Sequence, residues 1–203
     1  MCNSYRITPK KGVDKGVRAK VSAATAKLAT SLVRKSDPGI VVVVLADERA
    51  EIMRWGFHRS FNPAINNARS DKLATGMWAE AYRERRCVIP VSAFYEWGQA
   101  IGGHKQAHEF RDAEDDYLWI AGLWEDGGGD MGPCYTMVTT EASPVMAAIH
   151  SRMPAVLRPD EVRGFLDGAI RWDFRPFDGQ LVVTPCTSPL VKPRDAGTQQ
   201  ELF

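Results

Sequence analysis

The sequence predicts an α+β fold with a mainly antiparallel, β-rich core, an open barrel-like sheet flanked by helices. Three observations carry that expectation. Short runs rich in Val, Ile and aromatic residues recur in hairpin order, punctuated by turn residues. Helical periodicity is confined to stretches between them. A chain of 203 residues, 44% hydrophobic and 25% charged, has the composition of one ordinary domain that can bury a sizeable core without disulfides or metals. Residues 1–203 therefore read as one domain without repeats or linkers, and 185–203, with Pro185, Pro189 and Pro193, read as a loose C-terminal tail.

The elements follow in order. Val17, Val21, Ala24, Leu28 and Leu32 fall at helical spacing until Ser36-Asp37-Pro38-Gly39, predicting a helix of about five turns with Lys20, Lys27 and Arg34 on its other face. Ile40 to Leu45 is β-branched enough for a buried strand, and residues 50–57 (AEIMRWGF) predict its partner across the turn Asp47-Glu48-Arg49. Asn62-Pro63 opens a loop through Asn66, Asn67, Ala68 and Arg69, and a helix is expected from about Leu73 to Glu84. Arg86 to Trp97 (RCVIPVSAFYEW) predicts a strand, a break at Pro90 and a second strand. After the turn Ile101-Gly102-Gly103 come strands at 109–111 and 117–124, a glycine loop at 126–130 and a strand at 135–139. A helix near 144–149, a helix near 159–166 and a last strand at 181–184 complete the reading.

Charge and cysteine usage bound the function. The net charge is +1, so no global field advertises a polyanion partner, yet residues 1–36 hold nine Lys and Arg against Asp14 alone. Such a segment suits phosphate, or is a solvated helix face. The longest apolar run, Ile40 to Ala46, falls far short of the ~20 residues that span a bilayer, and no secretory signal is evident. Cys2, Cys87, Cys134 and Cys186 lie far apart without CxxC spacing, which argues against a disulfide framework and for the cytoplasm.

Four features could carry chemistry. Cys2 follows the initiator Met1; with Met1 removed it presents a thiol and an α-amine on one residue, able to attack a carbonyl or to condense jointly with an aldehyde into a thiazolidine. The plain alternative is an incidental residue on a frayed terminus. Glu96 shares a strand face with Phe94 in Phe94-Tyr95-Glu96-Trp97, a half-buried carboxyl suited to acid–base work, or else a structural ion pair. His150 follows an apolar helix and suits proton transfer, or packs as a capping residue. Asn67 and Arg69 share a polar loop, and Trp55 begins a WGF turn; these types suit phosphate contact and base stacking, or turn formation and core filling. His104 and His108 form HxxxH in a Gly-Gly turn without an acid between them, and no metal site is expected.

Cys2 behind Met1, MRWGF (53–57), NNARSD (66–71), RRCVIPVSAFYEW (85–97), AGLWE (121–125) and HSRMP (150–154) occur in that order. Together they resemble the SOS response-associated peptidase (SRAP) family, bacterial relatives of a protein that shields abasic sites by crosslinking to them. The resemblance covers residues 2–154. It implies a β-rich domain with a groove for single-stranded DNA, no cofactor, and a monomer acting in the bacterial cytoplasm, drawn to the nucleoid on damage. It further implies that Cys2, freed of Met1, condenses with the ring-opened sugar of an abasic site. By the same resemblance Asn67 orients the Cys2 terminus, Glu96 assists ring opening and proton transfer, and His150 is a second acid–base group. Arg69 and Arg152 would hold phosphates, and Trp55 would stack beside the lesion. A cysteine peptidase using Cys2, Glu96 and His150, and a non-covalent single-strand binder with an inert Cys2, are the competing readings. The family commonly begins Cys-Gly-Arg where this chain has Cys2-Asn3-Ser4, so the phosphate-binding role of that early arginine is either missing or passes to Arg6. The family's NARSE reads NARSD here.

Overall fold

In the computed structural model, which describes residues 2–9, 16–101, 104–127, 132–168 and 171–190, the chain opens with β1 (Ser4–Arg6) and helix α1 (Gly16–Thr25). The helix is shorter than its periodicity: Leu32–Arg34 form β2, antiparallel to β1, and bury Val33. Leu28 and Leu32 fit a helical period, but β2 gives the backbone of β1 its partners, and tertiary pairing overrides local propensity. The expected hairpin follows as β3 (Pro38–Val44) and β4 (Glu48–Trp55). A small hairpin of β5 (Phe57–Arg59) and β6 (Asn62–Ile65) and a strand β7 (Asn67–Arg69) replace the expected loop.

The helix expected over 73–84 is reduced to two 3-10 turns, Ser70–Lys72 and Gly76–Trp78, and a short α2 (Ala79–Glu84). Gly76 at φ +60° interrupts the run. Next come β8 (Arg86–Val91) and β9 (Ala93–Ile101). Pro90 does not break β8: it pairs opposite Trp119, beyond the single Val42–Val88 pairing that joins β8 to β3, so its missing N–H costs no ladder bond there. The remaining elements are β10 (His104–Asp112), β11 (Leu118–Glu125), β12 (Cys134–Glu141), α3 (Pro144–Ala147), β13 (Arg152–Pro154), β14 (Val156–Leu157), α4 (Glu161–Leu166) and β15 (Leu181–Cys186). Pro185 and Cys186, expected in a loose tail, end β15 opposite His108 and Ala107. The expected turn at 102–103, part of the glycine loop and residues 191–203 lie outside the described residues.

Two sheets organise these strands. One runs β15-β10-β9-β1-β2; the other runs β13-β12-β4-β3-β8-β11-β14, and a β11–β12 pairing returns the ladder to β12. The second sheet is thus ring-like around β12-β4-β3-β8-β11. It is mixed, because β4 and β7 both pair parallel to β12. The β7–β12 pairing explains why residues 67–69 are extended.

Trp55 is fully buried at the centre of the core, edge-on to Tyr5 at 5.1 Å and stacked on Tyr135 at 6.4 Å. The Tyr5 and Tyr135 hydroxyls share a 2.5 Å hydrogen bond over Gly39. A Cβ at Gly39 would collide with both of those oxygens, so β3 needs glycine there. No helix among the described residues is long and apolar enough to cross a membrane.

Candidate active site

Cys2 precedes β1 and is 1% exposed. Its Sγ donates to the Ser4 carbonyl at 3.2 Å, and its own carbonyl accepts from Nδ2 of Asn66 and Nδ2 of Asn67, each at 3.0 Å. The two asparagines are brought there by the start of β7. The Asn66 carbonyl accepts from Met137 N and from Trp55 Nε1, both at 3.0 Å, and Asn67 pairs with Met137 in the parallel β7–β12 ladder. The core tryptophan and the site are therefore joined through one backbone carbonyl.

Glu96 projects from β9 as strand alternation with Phe94 predicts, and at 3% exposure it is more deeply buried than half. Burial raises its pKa, and its interaction with His150 opposes the rise. The Cys2 thiol is driven far above its ordinary range, first by burial and then by the charge of Glu96, with backbone groups of Ser4 and Tyr95 pulling the other way. Thiol and carboxyl thus sense each other, as do carboxyl and imidazole. His150 sits between α3 and β13, its Nδ1 3.0 Å from both the amide nitrogen and the carbonyl oxygen of Arg152. Cys2, Asn67, Glu96 and His150, far apart in sequence, are brought to one place.

Arg69 and Arg152 flank this group. Arg69 lies two residues beyond Asn67 in β7 and makes two hydrogen bonds to Asp71, at 3.0 and 2.9 Å. Arg152 is largely enclosed; its guanidinium donates to the Thr139 carbonyl and, through Nε, to Thr139 Oγ1 at 3.3 Å, with Asp71 3.9 Å away. Burial, and then the neighbouring charge of Arg69, lower the Arg152 pKa. Both arginines line a hollow of about 580 Å³ together with Asp71, Arg171 and Trp172.

The structure corrects the expectation for Trp55. A fully buried ring bonded to Asn66 through its indole N–H cannot stack on a base. Among the described residues the most exposed aromatic is Phe61, 76% exposed at the turn between β5 and β6. Its exposure is set by the hairpin, which the sequence reads only as an Asn-Pro loop. Arg6 is also engaged elsewhere, donating to the Tyr95 hydroxyl at 3.1 Å and to Ser31 Oγ at 3.0 Å, and Ser4 is buried. Asn66 is indistinguishable from its neighbours in sequence.

The basic N-terminal segment is partly engaged too: Arg18 forms a two-point pair with Asp115 at 2.8 and 2.7 Å, and Lys20 donates to the Glu48 carbonyl. Among the described residues no group of three or more His, Cys, Asp or Glu side chains is arranged to hold a metal.

Over 148 residues the chain is 35% identical to "Abasic site processing protein HMCES" of Xenopus tropicalis, covering 57% of this chain and 44% of that protein. It is 34% identical over 135 residues to "Abasic site processing protein YoaM" of Bacillus subtilis, covering 60% of this chain and 58% of the relative. The matches thus span roughly half the length of these relatives. A crystal structure from Bacteroides thetaiotaomicron superposes with a TM-score of 0.74 at 17% identity, covering 92% of each chain. One from Bordetella bronchiseptica gives 0.72 at 22% identity, covering 92% of this chain and all of the other. At these identities the two structures bear on the fold alone. Residues 1–189 match the family described as "SOS response associated peptidase (SRAP)", and the chain belongs to that family.

Proposed function

We propose that the protein captures abasic sites in single-stranded DNA as a covalent adduct on Cys2 once Met1 has been removed. The observation that carries this reading is the convergence on Cys2 of a buried carboxyl and two carboxamides, with an imidazole acting on that carboxyl. The names of the relatives, abasic site processing proteins, agree with it.

An abasic sugar opens to an aldehyde. The Cys2 amine adds to that carbon, and loss of water gives a Schiff base. The thiol then adds across the C=N bond, its proton ends on nitrogen, and a five-membered thiazolidine closes with one water released overall. Glu96 carries the protons: a carboxyl whose pKa is raised by burial can give a proton to the departing hydroxyl and take one from the thiol. His150 stabilises the charged carboxylate between those transfers. Arg69 and Arg152 hold the flanking phosphates, and Phe61 offers a stacking surface to a neighbouring base. No base needs to be read, in keeping with a lesion that has none.

A cysteine peptidase built on the same Cys2, Glu96 and His150 is the competing reading, and cleavage of peptides in trans without a DNA adduct would favour it.

Incubation with an abasic oligonucleotide, followed by a denaturing gel, tests the proposal. Methionine-free protein should give a heat-stable adduct, and protein retaining Met1 should give none, because an amide nitrogen forms no Schiff base. Cys2→Ala should abolish the adduct while binding to a tetrahydrofuran abasic analogue stays within a few fold. An undiminished adduct in Cys2→Ala, traced to a lysine, would overturn the mechanism.

A further inference from the structure

We propose that Asn66 is a positioning residue that, together with Asn67, fixes the backbone of Cys2 and so sets the rate of the covalent step; the inference rests on the crosslinking reading above.

Cys2 lies outside the β1 ladder, which begins at Ser4, so strand pairing does not hold its backbone. Side chains do so instead. Its carbonyl oxygen has two lone pairs, and both face carboxamide donors, Asn66 Nδ2 and Asn67 Nδ2 at 3.0 Å. Asn66 Nδ2 also lies 3.3 Å from Asn3 Oδ1, so its two N–H groups span residues 2 and 3. The clamp is itself rigid: Asn66 is buried, and its backbone carbonyl is bonded to the Trp55 indole and the Met137 amide.

Asn3 supplies the acceptor for the second N–H, which a glycine at that position would have no side chain to provide. Asn3 and Asn66 are thus partners in one hydrogen bond beside the nucleophile.

Two consequences follow for the chemistry. Pinning the carbonyl fixes rotation about the Cα–C bond, and with it the directions of the amine and thiol towards an aldehyde that must come within about 3–3.5 Å. Two donors on the carbonyl also draw electron density from the α-carbon. That lowers the basicity of the free amine and increases the neutral fraction available for Schiff-base formation. Neither effect involves contact with DNA, so the clamp should act on rate and not on affinity.

Asn66→Leu keeps the branched shape and removes both donors. Methionine-free Asn66→Leu should form adduct about 10- to 100-fold more slowly than wild type. Its affinity for a tetrahydrofuran oligonucleotide, which binds but cannot condense, should stay within about three-fold, and the alkaline rise of its pH–rate profile should move to higher pH. Because a buried substitution can perturb folding, Asn3→Gly at an exposed position provides the second arm. It should slow the adduct a few fold alone and add nothing in the Asn66→Leu background. Unchanged rates in both variants, or rate and affinity falling in equal proportion, would overturn the assignment. If wild-type protein formed no adduct, the crosslinking reading would fail first. Condensation of Cys2 with formaldehyde, followed by mass spectrometry, would then decide Asn66 separately: slower reaction in Asn66→Leu upholds the clamp, and equal rates refute it.

Discussion

Asp71 accepts two hydrogen bonds from Arg69 and lies 3.9 Å from Arg152, so a phosphate arriving at these arginines competes with a carboxylate already there. The Arg69 pair is solvent-exposed and weak, as such pairs usually are, and is readily exchanged. Asp71→Asn should therefore tighten single-strand binding about two- to five-fold at low salt, with the gain shrinking as salt screens it. Fluorescence anisotropy across a salt series checks this, and weaker binding would refute it. Glu96 makes a different kind of demand. Its pKa is raised in the folded protein, so the fold binds that proton more tightly than the unfolded chain does, and stability falls as pH rises above the ordinary glutamate value of about 4.3. Glu96→Gln should accordingly raise the melting temperature at pH 7, with the difference closing at pH 4 and below, while adduct formation slows by ~10². A variant less stable than wild type at pH 7 would mean that the carboxylate is a structural partner. Single residues are legible in the sequence to different degrees. Cys2, Glu96 and His150 stand out because their chemistry is rare in such surroundings. Trp55 and Phe61 are not separable, since a sequence shows an aromatic ring but not whether a hairpin exposes it.

At the scale of elements, β3 and β4 are plain because a β-branched run beside a turn admits few alternatives, whereas β2 and β7 are hidden. Both hidden strands are three residues long and exist through distant partners, β1 for one and β12 for the other. No local period can announce such a pairing. The same dependence makes some positions in clear strands unforgiving. Gly39 reads as a turn residue but lies within β3 beneath the Tyr5 and Tyr135 hydroxyls. Gly39→Ala should cost about 1–3 kcal/mol or more, because the tyrosine pair must separate or β3 must shift. Urea denaturation measures the loss, and a variant as stable as wild type would show that the rings move freely.

At the scale of the molecule, the reactive group is assembled from residue 2, the start of β7, the middle of β9 and the turn after α3, and nothing local holds it together. Topologies dominated by distant pairings fold in milliseconds to seconds, slower than helical ones. During synthesis Cys2 emerges first and His150 much later, separated by on the order of 10 s at the usual pace of translation. For that interval a nascent chain stripped of Met1 would carry an unshielded aminothiol in a cell that contains free aldehydes. Stalled chains ending before β12 should react with formaldehyde faster than the finished protein does, and equal rates would show that the fold gives no shelter. Burial of Cys2 then has a meaning apart from catalysis: it narrows the window in which stray metabolites can spend the nucleophile, and afterwards favours a sugar delivered by its phosphates over a small aldehyde that must find the thiol unaided.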